Sequence, residues 1–142
     1  MKKATFYILL ATSILLACDD NDRNLSAEPK NEMDAARNFI RAALDGDYEK
    51  AKTMLLPDSM NLQVIETYQR SYQKSMSKDE KEQYRSATIR IHDSNTINDS
   101  TKIVVYSNSY MNQKDSLKVI KINGKWLIDF AFVYKNRLDS LQ

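Results

Sequence analysis

Few residues in this chain can do chemistry. Cys18 is the one cysteine and His92 the one histidine among 142 residues, and Gly46 and Gly124 are the only glycines. A zinc cluster, a histidine pair or a glycine-rich phosphate loop needs several such residues at set spacings, so no metal or cofactor site is expected. Three kinds of group remain. Asp129 offers a carboxylate base; Tyr68, Tyr72, Trp126 and Phe130 offer aromatic walls for a largely apolar ligand; Cys18 offers a sulfur for covalent attachment. The elements that position these residues decide among them.

Cys18 follows Leu15-Leu16-Ala17 at the end of an apolar run. Met1-Lys2-Lys3 is a positive start, Ala4 to Leu16 is apolar apart from Thr5, Thr12 and Ser13, and Ala17 is the small residue before a cleavage point. Residues 1–17 thus read as a secretory signal peptide, too short for the roughly 20 apolar residues of a membrane span. The motif resembles the bacterial lipobox, with Leu15, Leu16 and Ala17 in the three positions before the modified residue. The resemblance implies a diacylglyceryl group on the Cys18 sulfur, cleavage before Cys18, and a protein held in a membrane of the bacterial cell envelope. Several acyl chains anchor stably because each buried methylene contributes about 0.8 kcal/mol.

With Cys18 lipidated, no thiol is left for a disulfide or a nucleophile. Loss of Lys2 and Lys3 lowers the basic residues from 21 to 19, equal to the 19 acidic ones, which removes the electrostatic case for nucleic-acid binding. Residues 18–30 read as the lipidated cysteine and a flexible polar tether, and residues 31–142 as a single domain able to fold on its own core. The acidic run Asp19-Asp20-Asn21-Asp22 has two readings, solvation of the tether or a sorting signal. As a signal it resembles both the surface-export segment of some Bacteroidetes-type lipoproteins and the inner-membrane retention signal of enteric ones.

From Asn31 the apolar spacing is helical, with Met33, Ala36, Phe39, Ile40, Ala43 and Leu44 on one face, Arg41 and Asp45 on the solvated side, and Gly46 as the stop. A short helix starts at Asp47 and closes before Pro57. A third runs from about Ser59 to Met76 on the stripe Leu62, Ile65, Tyr68, Tyr72 and Met76, and Ser77 to Glu80 forms a capping box for a fourth. After Ser86 the period drops to two. Strands are expected at Ala87 to His92 and Lys102 to Tyr110, separated by a polar loop from Asp93 to Ser100, with a turn over Met111 to Ser116.

Asn123-Gly124 between apolar strands demands a type I′ turn and sets the last hairpin's register, with Lys118 opposite Asp129 and Leu117 opposite Phe130. One face then carries Leu117, Val119, Trp126, Ile128, Phe130 and Phe132 toward the helices. The other carries Ile120, Ile122, Leu127, Ala131 and Val133 beside Lys118, Lys125 and Asp129, too apolar for a face that only meets water.

The pattern predicts an α+β fold, N-terminal helices packed on a curved four-stranded antiparallel sheet. The segments Ala35 to Ala51, with its Leu44-Asp45-Gly46-Asp47 ending, and Val119 to Asp129, with its Asn123-Gly124-Lys125-Trp126 turn, resemble small bacterial lipoproteins of nuclear-transport-factor-2-like, cystatin-like cone fold. That resemblance implies an architecture and leaves the chemistry open, because this superfamily holds enzymes and binding modules alike. Its enzymes place a carboxylate and tyrosines inside the cone. Asp129 lies on the outer face opposite Lys118, where an ion pair is the better reading, and His92 alternates outward.

No catalytic residue is therefore assigned. The expected function is a lipid-anchored, non-enzymatic envelope module that docks a second copy or an envelope protein through Ile120, Ile122, Leu127 and Val133. The alternative is a small apolar-ligand binder, or a cyclase- or isomerase-like enzyme, using Tyr68, Tyr72, Trp126 and Phe130. Cys18→Ser is expected to abolish incorporation of labelled fatty acid while leaving the circular dichroism of the domain unchanged; a Cys18→Ser protein that still partitions into detergent would contradict the anchor.

Overall fold

The computed structural model describes residues 28–134; the leader, Cys18 and most of the expected tether lie outside them. Four helices come first, α1 (Glu32–Asp45), α2 (Tyr48–Thr53), α3 (Ser59–Ser75) and α4 (Lys78–Ser86). Four strands follow, β1 (Ile89–Asn98), β2 (Thr101–Asn108), β3 (Lys114–Ile122) and β4 (Lys125–Asp129), paired antiparallel in the order β1-β2-β3-β4. This is the expected α+β arrangement.

Each helix starts where a side chain can take up a free backbone amide. Asn31 accepts from the Asp34 N–H at 2.8 Å and Asp58 from the Asn61 N–H at 2.9 Å. At Ser77 both halves of the capping box form, with the Ser77 N–H on Glu80 at 2.7 Å and the Glu80 N–H on Ser77 at 3.2 Å. α1 lies across all four strands. Its Phe39 and Leu44 pack with Ile65 of α3 and with Val104, Leu117, Val119 and Ile128, which form the inward face of the sheet.

Several helix faces differ from expectation. Met33 and Leu62 are exposed, because α1 and α3 turn their buried faces about one residue away from the predicted stripes, toward Ala35, Ala36, Asn61 and Val64. Arg41 is not solvated: it is 3% exposed, bound to Asp45 at 3.0 Å and to the carbonyls of Ala87 and Arg85 at 2.7 and 2.8 Å. A buried guanidinium persists only when its donors are matched in this way.

The sheet corrects the strand boundaries. β1 runs on through the expected loop to Asn98, and β3 begins inside the expected turn at Lys114, because pairing with β2 outweighs the low strand propensity of Asn, Ser and Asp. Register shifts at His92 and Ile97 insert one extra residue each. The last hairpin has the predicted register from Ile122↔Lys125 to Lys118↔Asp129, with φ of 49° at Asn123 and 80° at Gly124.

It stops there. Phe130 turns the chain and residues 131–134 are helical, so Leu117 and Phe130 are not paired. The alternation therefore fails past Asp129. Val133, expected on the outer face, is 4% exposed in the core, as is Ala131, while Phe132 stands half-buried with its ring 5.8 Å from the Lys118 Nζ on the outer side. The free edge of β4 is covered by the α2–α3 connection, where the Leu56 N–H donates to the Ile128 carbonyl and the Ile128 N–H to the Met54 carbonyl, each at 2.9 Å.

The two glycines do different work. Gly46 has φ of 77°, and a methyl group there would stand 2.6 Å from the Tyr72 ring, whereas Gly124 has φ of 80° and open space around it. Gly124→Ala should lower stability by about 1 kcal/mol and Gly46→Ala by more than about 2 kcal/mol, since the second adds a ring displacement to the backbone strain. Urea denaturation of the two variants checks this; equal losses would refute the Tyr72 contact.

Candidate functional site

Two features bear on the expected sites. One is a cavity of about 130 Å³ between α1, α3 and the β2–β3 end of the sheet. Its walls are Phe39, Tyr48, Tyr68, Tyr84, Tyr106 and Phe130, and Met111, Gln113, Asn108 and Asp115 complete it at the sheet end. The rings pack in two groups: Phe130 lies tilted 5.1 Å from Phe39 and 5.0 Å from Tyr68, and Tyr84 stands edge to face with Tyr110 at 5.1 Å. A volume near 150 Å³ holds one benzene ring, and drug-sized sites begin at about 300 Å³, so only a single-ring ligand fits.

Of the four residues expected to line a ligand site, the structure brings Tyr68 and Phe130 together on this cavity. Tyr72 sits one layer behind it, 5.6 Å from Tyr48 and 5.9 Å from Tyr84. Trp126 is elsewhere. It is half-buried in an open groove at the opposite end of the sheet, with the Lys121 Nζ 5.3 Å from its ring.

The carboxylate at the cavity is Asp115, which sequence reasoning missed. It faces inward because it shares the parity of Leu117 and Val119 and pairs with Tyr106, and its Oδ1 accepts the Ser116 N–H at 2.8 Å. Extending the hairpin's alternation backwards through the supposed turn would have found it. Asp129 is the expected ion pair, 3.2 Å from the Lys118 Nζ. His92 stands exposed at the β1 bulge with its Nε2 2.8 Å from the Ser107 hydroxyl; desolvation, then Lys114 and Arg90, hold its pKa below the ordinary value.

The second feature is the outer face of the sheet. Ile120 and Leu127 pair across the β3–β4 ladder and stand half-exposed, with Ile122 at 43% at the hairpin end. β2 adds Ile103 and Val105, which were not anticipated because only the hairpin's register was known. Val133 does not belong to this face. Among the described residues no group of three or more His, Cys, Asp or Glu side chains is arranged around a metal site, and no helix is long and apolar enough to cross a membrane.

Burial, reinforced by Tyr84, Tyr72 and Tyr68, raises the Tyr48 hydroxyl well above its ordinary value of 10, and burial raises Tyr84 as well. These hydroxyls stay protonated at neutral pH. The folded state keeps protons that the unfolded chain gives up near pH 10, so their contribution to stability is complete below pH 10 and is lost as pH rises above it. The unfolding free energy should fall steeply above pH 10, by roughly 1 kcal/mol per pH unit for Tyr48 alone, and Tyr48→Phe should flatten that slope in urea denaturation. A slope unchanged in Tyr48→Phe would refute the assignment.

Comparison with known proteins adds one assignment. No curated protein and no solved structure matches this chain. Residues 25–129, from the segment just before α1 to the last residue of β4, match the family described as Domain of unknown function (DUF4878). That span is well over half of the chain, and the protein belongs to this family.

Proposed function

We propose that this protein is a lipid-anchored, non-enzymatic binding module of the bacterial cell envelope, with a nuclear-transport-factor-2-like domain that docks a second copy of itself through the outer face of its sheet. The lipobox ending in Cys18 supports the anchor, and the helices-then-meander order, with the Gly-Asp stop after α1 and the Asn-Gly hairpin, supports the fold family.

One observation carries the docking role. Ile103, Val105, Ile120 and Leu127 form an apolar strip on the sheet face opposite α1, with Ile122 exposed at its end. The Lys118–Asp129 pair in the middle of the strip would meet its own copy with charges of both signs available, which suits a two-fold contact. Sedimentation of the chain from residue 18 onward should give a concentration-dependent dimer that Leu127→Asp converts to monomer. A monomer at high concentration, with no partner crosslinked in membranes, would overturn this reading.

A second reading is favoured by the cavity. Tyr68, Phe130 and Asp115 together can hold one aromatic ring bearing a hydrogen-bond donor, and in an enzyme Asp115 would be the base. Phenol or benzene at millimolar concentration either shifts the resonances of Tyr68 and Phe130 or excludes this use of the cavity.

A further inference from the structure

We infer that the end of the domain where the tether enters is a docking surface for an anionic phospholipid bilayer. The groove at that end holds Glu28, Pro29 and Lys30, the first described residues, against Lys50 and Met54 of the α2 region and Lys125 and Trp126 of β4. The tip of the last hairpin stands beside it, with Lys121, Ile122 and Lys125 exposed and the Lys121 Nζ over the Trp126 ring. Four lysines thus gather at one end of the domain, where Glu28 lines the groove, Asp34 takes the Lys30 N–H at 3.3 Å and Asp99 adjoins Ser100, whose carbonyl takes the Lys121 N–H at 2.7 Å. Glu49, the nearest acidic residue on α2, is already held by Lys52 at 2.9 Å.

Three properties match a bilayer surface rather than a protein. Lysines near a membrane are drawn to anionic headgroups, a tryptophan with a polar rim sits at the headgroup level, and an exposed isoleucine at a hairpin tip can enter the acyl boundary. The position of the tether supplies the fourth. The described chain enters the domain at this groove, ten residues after Cys18 in the sequence. This orientation rests on the proposed lipidation, which would attach the chain to the membrane on the N-terminal side of Glu28.

The test does not need the lipid. The chain from residue 18 onward with Cys18→Ser contains every described element, and Trp126 is its only tryptophan, so its fluorescence reports this site alone. Vesicles of phosphatidylcholine with one quarter phosphatidylglycerol should shift its emission to the blue and cosediment the protein. Pure phosphatidylcholine should do neither, and raising salt should weaken binding.

Lys121→Glu with Lys125→Glu should weaken binding at least tenfold, while Lys74→Glu with Lys78→Glu, outside the groove, should change it less than twofold. Equal losses in both pairs, binding indifferent to phosphatidylglycerol, or the same shift produced by inorganic phosphate would overturn the proposal. Absent vesicle binding beside intact fatty-acid labelling of the wild-type chain would refute this surface and leave the anchor standing.

Discussion

The buried guanidinium of Arg41 is the contact on which the two halves of this fold meet. It reaches from α1 to the carbonyls of Arg85 and Ala87, where the chain leaves α4 and is about to enter β1. Those carbonyls lie at and beyond the end of α4 and the guanidinium is buried away from solvent, so each satisfies what the other would lack. Asn61 makes the matching tie at the far end. Its Oδ1 accepts the Ala131 N–H at 2.9 Å and its Nδ2 donates to Asp58 at 2.6 Å, fastening the start of α3 to the turn that follows β4. Two buried polar side chains thus set where the sheet begins and where it ends, and apolar packing fills the space between.

What could be read from the residues alone was what local chemistry decides. The Asn31 cap, the Gly46 stop, the Ser77 capping box and the Asn123-Gly124 turn each need only a few neighbouring residues, and each stands where the sequence puts it. The losses came where distant partners decide. The run from Asp93 to Asn98 is mostly Asp, Ser and Asn, which disfavour a strand, and β2 makes it one. Arg41 looks like half of a surface pair with Asp45 until α4 closes over it. Past Asp129 the alternation of apolar residues continues in the sequence while the backbone has already turned, which is why Val133 and Phe132 exchanged faces.

The same limit applied to the candidate site. Tyr68 and Phe130 could be grouped because helical spacing and hairpin register each pointed them inward, but Trp126 could be grouped with them only by ignoring the length of β4. The ring of Trp126 and the rings of the cavity share one face of the sheet and lie at its two ends. Separating them leaves an aromatic interior at one end, exposed lysines near residues 28–30 at the other, and an apolar strip across the back.

The placement of α1 has a consequence for the order of events in the cell. Its Phe39 packs on Phe130, and its flanks rest on all four strands, so the first helix made waits for nearly the last residue of the domain before it can be buried. Contacts this far apart in sequence form late, and a chain lacking its C-terminal portion has no core to collapse around. Such a chain holds its first helices without a sheet to bury them. The topology itself postpones folding until β4 and the turn after it have been made.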